Sequence, residues 1–277
     1  MSRLAEIEGH LASMGELLDV VAAMRALAGM RMQEAQATLP GIRRYAQALV
    51  DGIADTLLLL EAPAPPRPGP TGLVLCSAEH GFVGGFNERL VEAAEAALGP
   101  GDRLYALGTR GAVLAEERGR RPHWSHPMAS RCAAAPETVQ QVTAALYRDI
   151  AEARISRVEV LFARNGQAGG IERRQLLPLD SEGLQARQSS QPPLHTLPPG
   201  ALYRRLLAEY VFALLTEAAV ESIASENQAR LEAMRSAHDN VSKKLEDLQR
   251  DARQARQDEI TDELSDIVTG TRALAGR

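Results

Sequence analysis

The sequence predicts an α/β protein with long helices: an antiparallel coiled coil of N- and C-terminal helices flanking an inserted α/β domain. Three observations carry this. No Gly or Pro interrupts the chain from Ala201 to Thr269, and apolar residues recur there at helical spacing. A second helical pattern fills the N-terminal stretch up to Leu57. Between the two, short apolar runs alternate with helical patterns.

The C-terminal run sets the architecture. Leu202, Leu206, Tyr210, Leu214 and Ala218 begin its stripe, Leu231, Met234, Val241, Leu245, Leu248 and Ala252 continue it, and Ile260, Leu264 and Ile267 end it. Ordinary globular helices run about 8–20 residues. This one, at about 1.5 Å per residue, would be on the order of 100 Å long. Such a rod must pair with another helix, enter a partner, or both. Along it, Arg235, Arg250, Arg253 and Arg256 alternate with Asp239, Glu246, Asp247, Asp251 and Asp258. Such a pattern suits a solvated face or a partner enclosing the tip.

At the other end, Ile7, Leu11, Met14, Leu18, Val21, Met24, Leu27, Ala28, Met32 and Ala35 follow 3–4 spacing. Gly9, Gly15 and Gly29 weaken that helix by about 1 kcal/mol each where exposed. Pro40 is expected to interrupt or kink it. The pattern resumes through Ile42, Tyr45, Leu49, Ile53 and Leu57. The expected domains are thus an N-terminal coiled-coil helix over 1–62, a Pro-rich linker over 63–71, the α/β insertion over 72–199 and a C-terminal coiled-coil helix over 200–277.

In the insertion, Gly72–Cys76, Arg103–Gly108 and Val158–Phe162 read as strands, with Arg174–Pro178 as a fourth. Helices are expected over Asn87–Leu98, capped by Asn87, and over Glu137–Ala153. Strands alternating with helices imply a Rossmann-like domain with a largely parallel sheet.

Composition narrows the function classes. Net charge is -5 and the pI near 5.8, against general nucleic-acid binding. No apolar run reaches the roughly 18–20 residues of a membrane helix. The N-terminus shows no apolar signal core. Cys76 and Cys132 fit no metal or redox spacing, so a reduced, cytosolic chain is expected, with Cys76 a buried hydrophobe. Gly81-Phe82-Val83-Gly84-Gly85 follows a strand, but its spacing is not GxGxxG, and a loop-geometry role is the better reading. No GxxxxGK[ST] occurs. His123 and His126 are expected in a surface loop, without the further ligands a metal needs. Glu16 and Asp19 read as a solvated or partner-facing surface. No nucleophile, base and orienter assemble, so no catalytic residue, cofactor or metal is expected.

Several stretches resemble one family. Ser225 to Asn240 (SENQARLEAMRSAHDN) and Ala255 to Gly270 (ARQDEITDELSDIVTG) resemble signatures of the gamma subunit of F-type ATP synthase, the second close to A-R-Q-x-x-I-T-x-E-[IL]-x-E-I-V-x-G. Ala23-Met24, Ala28 and Met32 fall at the family's first-helix landmarks. Ser77 to Asn87 is similar to S-x-D-R-G-L-C-G-G-L-N, and Gln175 to Leu179 to Q-L-L-P-L. The resemblance spans essentially the whole chain. It departs at Glu16, Asp19, Ala22 and Met30, where the family is usually more basic, and at Val83, where the family has cysteine. These departures resemble the alternate bacterial N-ATPases, some of which are similar to sodium-coupled enzymes.

The resemblance implies a rotor shaft without a catalytic residue of its own. It would turn inside a head of alpha and beta subunits, beside an epsilon subunit and on a membrane ring of c subunits. It would couple proton or sodium flow to ATP synthesis or hydrolysis, peripheral to the bacterial plasma membrane on the cytoplasmic side. By position, Met24 and Arg25 would lie near a lower contact with beta, and Arg256, Gln257, Thr261 and Glu263 near an upper catch. Ile260, Leu264, Ile267 and Val268 would run in an apolar bearing. The alternative is a coiled-coil scaffold protein with an inserted α/β domain, which leaves the matched motifs unexplained.

Overall fold

A computed structural model describes residues 3–60, 69–164, 170–179, 184 and 193–275, with side chains of the last helix described to Val268 except at 266. The elements, in order, are α1 (Arg3–Leu57), β1 (Thr71–Cys76), α2 (Phe86–Ala97), β2 (Arg103–Leu107), α3 (Thr109–Glu117), β3 (Trp124–His126), a 3-10 turn (Cys132–Ala134), α4 (Ala135–Ala151), β4 (Arg157–Ala163), β5 (Ile171–Leu177) and α5 (Pro199–Ala275). The chain divides into two compact units, Met1–Leu27 with Leu231–Arg277, and Ala28–Arg230. Both long helices contribute to both units.

The larger unit is built on a five-stranded sheet of order β3-β2-β1-β4-β5. β1 pairs in parallel with β2 and β4, and β3 in parallel with β2; β5 runs antiparallel to β4 at the other edge. The sheet is therefore mixed, mostly parallel. β1 and β4 lie inside it and are almost wholly buried, as their continuous apolar runs require. Alternation sends successive side chains to opposite faces. Leu73 and Leu75 join α2 residues Phe86, Leu90 and Val91 and α3 residue Ala115 in one core. Val74, Cys76, Tyr105 and Leu107 join α4 residues Val139, Val142 and Leu146 in the other. That second core also takes Ala35, Leu39, Ala46 and Leu49 from α1 and Ala213, Leu215, Ala218 and Ala219 from α5. Burying one such Leu or Val side chain contributes about 1.5–3 kcal/mol.

Several expectations need correction. Pro40 does not break the first helix; it lies inside the continuous α1. Packing on both sides of it, with Leu39 and Ala46 buried, outweighs the lost hydrogen bond. Asn87 is not a cap. Gly85 occupies the N-cap, and the Asn87 side chain accepts the Ala78 N–H at 3.0 Å, tying α2 back to the end of β1. His123 lies in an exposed bend, as expected, but His126 is not a loop histidine: Trp124–His126 is an edge strand in register with Tyr105–Leu107. α3 had no sequence expectation. Its start follows β2 directly through Gly108, whose φ of 102° and closeness to Ser77 O (a Cβ would lie 2.3 Å away) demand glycine. β5 begins at Ile171 rather than Arg174, α4 spans Ala135–Ala151 rather than Glu137–Ala153, and α5 runs through Gly270 to Ala275. The expected linker falls at 63–68 outside the described residues, and β1 begins at Thr71.

In the smaller unit both chain segments are helical. Val21, Met234, Leu248 and Ala255 are buried there, and Arg256 Nη2 donates to Glu8 Oε1 at 2.8 Å.

Candidate partner surface

The residues expected to meet partners lie on two helical stretches. On α1, Met24 and Arg25 are half-buried. Leu17, Val20 and Leu27, at 3–4 spacing around Met24, are exposed by 42%, 55% and 42%. Val21, one position on, is 5% exposed. The helix thus carries two apolar stripes, one seated in its own unit and one open.

On α5, Ile260, Leu264, Ile267 and Val268 are all more than half exposed. Positions i, i+4, i+7 and i+8 share one helix face, so these four form an open apolar stripe. Contiguous exposed apolar residues of this kind mark surfaces that dock. Arg256, Gln257, Thr261 and Glu263 are exposed around the start of that stripe. Thr261 Oγ1 donates to Gln257 O at 2.8 Å, one turn back. The Arg256–Glu8 pair has both side chains at least half exposed, so it contributes only about 0–1 kcal/mol and leaves Arg256 available for exchange.

Polar groups within the larger unit, which sequence reasoning missed, fix its geometry. Arg230, 5% exposed, donates to Glu226 Oε1 at 2.5 Å, Asn227 Oδ1 at 3.1 Å, and the carbonyls of His80 and Gly81 at 3.3 Å. It pins the β1–α2 loop to α5. That loop presents Phe82, 68% exposed, at a φ of 62°. Burial pushes the Glu226 carboxyl up, with Arg230 opposing. Glu79 closes the start of α3: its carboxylate accepts the Thr109 N–H and Oγ1–H and the Met128 N–H. Ser222 Oγ donates to Cys76 O at 2.8 Å and Ser225 Oγ to Ala163 O at 2.9 Å, so α5 satisfies the carbonyls ending β1 and β4. The Gly81–Gly85 segment serves loop geometry, since both Phe82 and Gly84 adopt positive φ.

Asp149 of α4, 3% exposed, gathers Tyr105 Oη, Arg103 Nη1 (3.3 Å), His123 Nε2 (3.1 Å) and Arg154 Nη2 (2.7 Å). Burial raises its carboxyl, but the Tyr105 hydrogen bond, Arg154 and His123 outweigh that and hold it below its ordinary range. His126 stacks on Trp124, with ring centroids 5.8 Å apart. Among the described residues no His, Cys, Asp and Glu gather as a metal site. Burial pushes the Cys76 thiol to about 12 and, as the first of its causes, the Cys132 thiol to about 11. Neither supplies a thiolate near neutral pH. No helix among the described residues is long and apolar enough to cross a membrane.

A family model described as ATP synthase matches residues 3–274. The ATP synthase gamma chain of Thermobifida fusca is 30% identical over 290 residues, covering 96% of this chain and 92% of that one. That of Saccharopolyspora erythraea is 28% identical over 309 residues, covering 99% and 98%. Among solved structures, a chain of the Euglena gracilis mitochondrial ATP synthase (OSCP/F1/c-ring) matches with a TM-score of 0.64 at 11% identity, over 98% of this chain and 94% of that one. A chain of the Tetrahymena thermophila mitochondrial ATP synthase central stalk and c-ring matches at 0.58 and 18% identity, over 79% and 99%. At these identities the structural likeness speaks for fold.

Proposed function

The chain belongs to the gamma-chain family of ATP synthase, and from that premise we propose how it works as the central stalk of an F-type ATP synthase. It is the rotor shaft that couples proton or sodium movement through a membrane ring to ATP synthesis or hydrolysis in an alpha/beta head. The observation that supports this most is the family match across 3–274, joined to apolar stripes left open on both long helices. A shaft needs such surfaces. Each apolar side chain it leaves to water is one that a surrounding head could bury.

In this reading the segments 1–62 and 200–277 form the antiparallel coiled coil, 63–71 the linker and 72–199 the Rossmann-like insertion. Within the larger unit, Arg43 pairs with Glu217 and Tyr45 with Glu209, so one number rises as the other falls, which supports that direction of pairing. Met24 and Arg25 meet beta low on the shaft; Arg256, Gln257, Thr261 and Glu263 meet it higher. Ile260, Leu264, Ile267 and Val268 turn in an apolar sleeve. Apolar contact suits a turning surface because it has no preferred direction. The insertion faces the c ring and epsilon subunit. The chain itself is a non-catalytic subunit: it shifts the head's affinities for nucleotides and phosphate by presenting different sides in turn, which is coupling between separate sites through a moving body. Its place is peripheral, on the cytoplasmic side of a bacterial plasma membrane.

The test is co-purification with the alpha and beta subunits from the same source, followed by ATPase assay. A stable complex whose hydrolysis depends on this chain is expected. Folded partners that never associate with it would overturn the reading.

A further inference from the structure

Rotary coupling makes a demand that apolar packing alone does not meet. Torque entering through the sheet must leave along the helices without slip. The α5 face in the larger core is apolar throughout: Ala213, Ala218, Ala219 and Ala224, all at most 2% exposed, lie among Val211, Leu214, Leu215, Val220 and Ile223. Such a face fixes closeness, and burial has no direction. Angular register must come from directional contacts.

One side chain supplies them to three elements together. Glu217 of α5 is buried, its side chain 9% exposed. Its Oε1 accepts Arg43 Nε of α1 at 3.0 Å, and its Oε2 accepts Arg174 Nη1 of β5 at 2.9 Å. Each oxygen is therefore bonded to a different neighbouring element. Arg43 continues to Glu221, one turn along α5, whose side chain is 3% exposed. Arg174 is fixed from its other side by Glu172, at 2.6 and 2.8 Å, and its guanidinium lies 5.3 Å from the centroid of the Phe162 ring of β4. Burial opposes the Arg174 charge, but Glu217 and Glu172 hold the guanidinium above its ordinary value. Charge-assisted bonds of this kind are short and orientation-specific. Buried ion pairs add little net stability over an apolar core, so their worth lies more in register.

We propose that Glu217 is a positioning residue for torque transfer: its two carboxylate oxygens lock β5, α5 and α1 into one angular register, so that the sheet and the helix pair turn as one body. This rests on the shaft reading above. Glu217→Gln is the informative change. The amide keeps the volume but has one acceptor oxygen, so it can bond one arginine and not both. The cluster holds the carboxylates Glu172, Glu217 and Glu221 against Arg43, Arg164 and Arg174; when the Glu217 charge is lost, Arg43 keeps Glu221 and Arg174 keeps Glu172, so no arginine is left without a carboxylate and the fold stays intact.

The experiment uses the whole membrane-bound complex in sealed vesicles, measuring ions transported per ATP hydrolysed, with the rate of hydrolysis and the thermal midpoint alongside. Glu217→Gln is expected to hydrolyse ATP at the wild-type rate with an unchanged midpoint, while transport per ATP falls about fivefold or more, the lower end of coupling between sites. Glu172→Gln, which leaves both Glu217 bonds in place, is expected to keep wild-type transport per ATP. Wild-type transport in Glu217→Gln would overturn the proposal. So would a parallel fall in hydrolysis and transport, a failure to assemble, or an equal loss in Glu172→Gln, because each makes Glu217 a structural charge only. A wild-type complex that hydrolyses but never transports would instead refute the shaft reading itself.

Discussion

The open stripe at the tip of α5 allows a numerical test. Ile260 and Leu264 are 52% and 58% exposed. Changing each to Ala removes about three methylene equivalents, at about 0.8 kcal/mol for each one buried. Roughly half of each side chain is already covered, so a sleeve that buries the rest stands to lose about 1.2 kcal/mol per site. The double change Ile260→Ala, Leu264→Ala should then weaken binding to the head by about 2.5 kcal/mol, or about 60-fold in Kd. Alanine is the best helix former, so helix loss cannot mimic the effect. The assay is a titration of a fluorescently labelled alpha/beta head with the full chain, with helicity of the free chain followed by circular dichroism. A Kd within about threefold of wild type, below the 1.4 kcal/mol that a tenfold change represents, would refute the apolar-sleeve argument.

Three further outcomes follow from the larger unit. Asp149→Ala strands Tyr105, Arg103 and Arg154 around a lost buried carboxylate and should cost about 3–5 kcal/mol in thermal or urea unfolding. Because the Asp149 carboxyl is held low in the folded chain, its stabilisation is present above the ordinary carboxylate range and is lost as pH falls through the lowered value. The gap between wild type and variant should close in acid; a gap that widens there would reverse the sign of the argument. Gly108→Ala must place a Cβ 2.3 Å from Ser77 O at a φ of 102°, and a loss of about 1–3 kcal/mol from the backbone conformation, with the clash added, is expected in the same assay. Cys76, fully buried with its thiol pushed to about 12, should resist thiol reagents at neutral pH until the chain is denatured. Rapid labelling of the native protein would contradict that.

Legibility in the sequence followed the range of the interactions. The long helices were readable because their stripes are local and periodic, and β1, β2 and β4 because buried parallel strands are continuous apolar runs. Trp124–His126 was missed: three residues of which two are a serine and a histidine make no apolar run, and only pairing with β2 makes them a strand. α3 was missed because Thr109–Glu117 begins after a glycine turn and carries Gly111 inside it. Pro40 misled, since a local rule yields where packing on either side holds a helix straight through. The open stripe at Leu264 and Ile267 was legible as amphipathic pattern, whereas the role proposed for it came from resemblance. Glu217 was invisible because its partners, Arg43 and Arg174, lie 174 and 43 residues away in the chain. No pattern of nearby residues announces a carboxylate shared between a helix and a strand so distant.

Rotation itself is the most direct test of the central claim. The head is assembled with this chain and fixed to a surface. A bead is attached through a cysteine introduced at Val113, which is 50% exposed, while the native Cys76 and Cys132 stay buried. With ATP present, the account predicts continuous rotation in one direction. A complex that binds this chain and hydrolyses ATP while the bead only fluctuates about a fixed angle would contradict it.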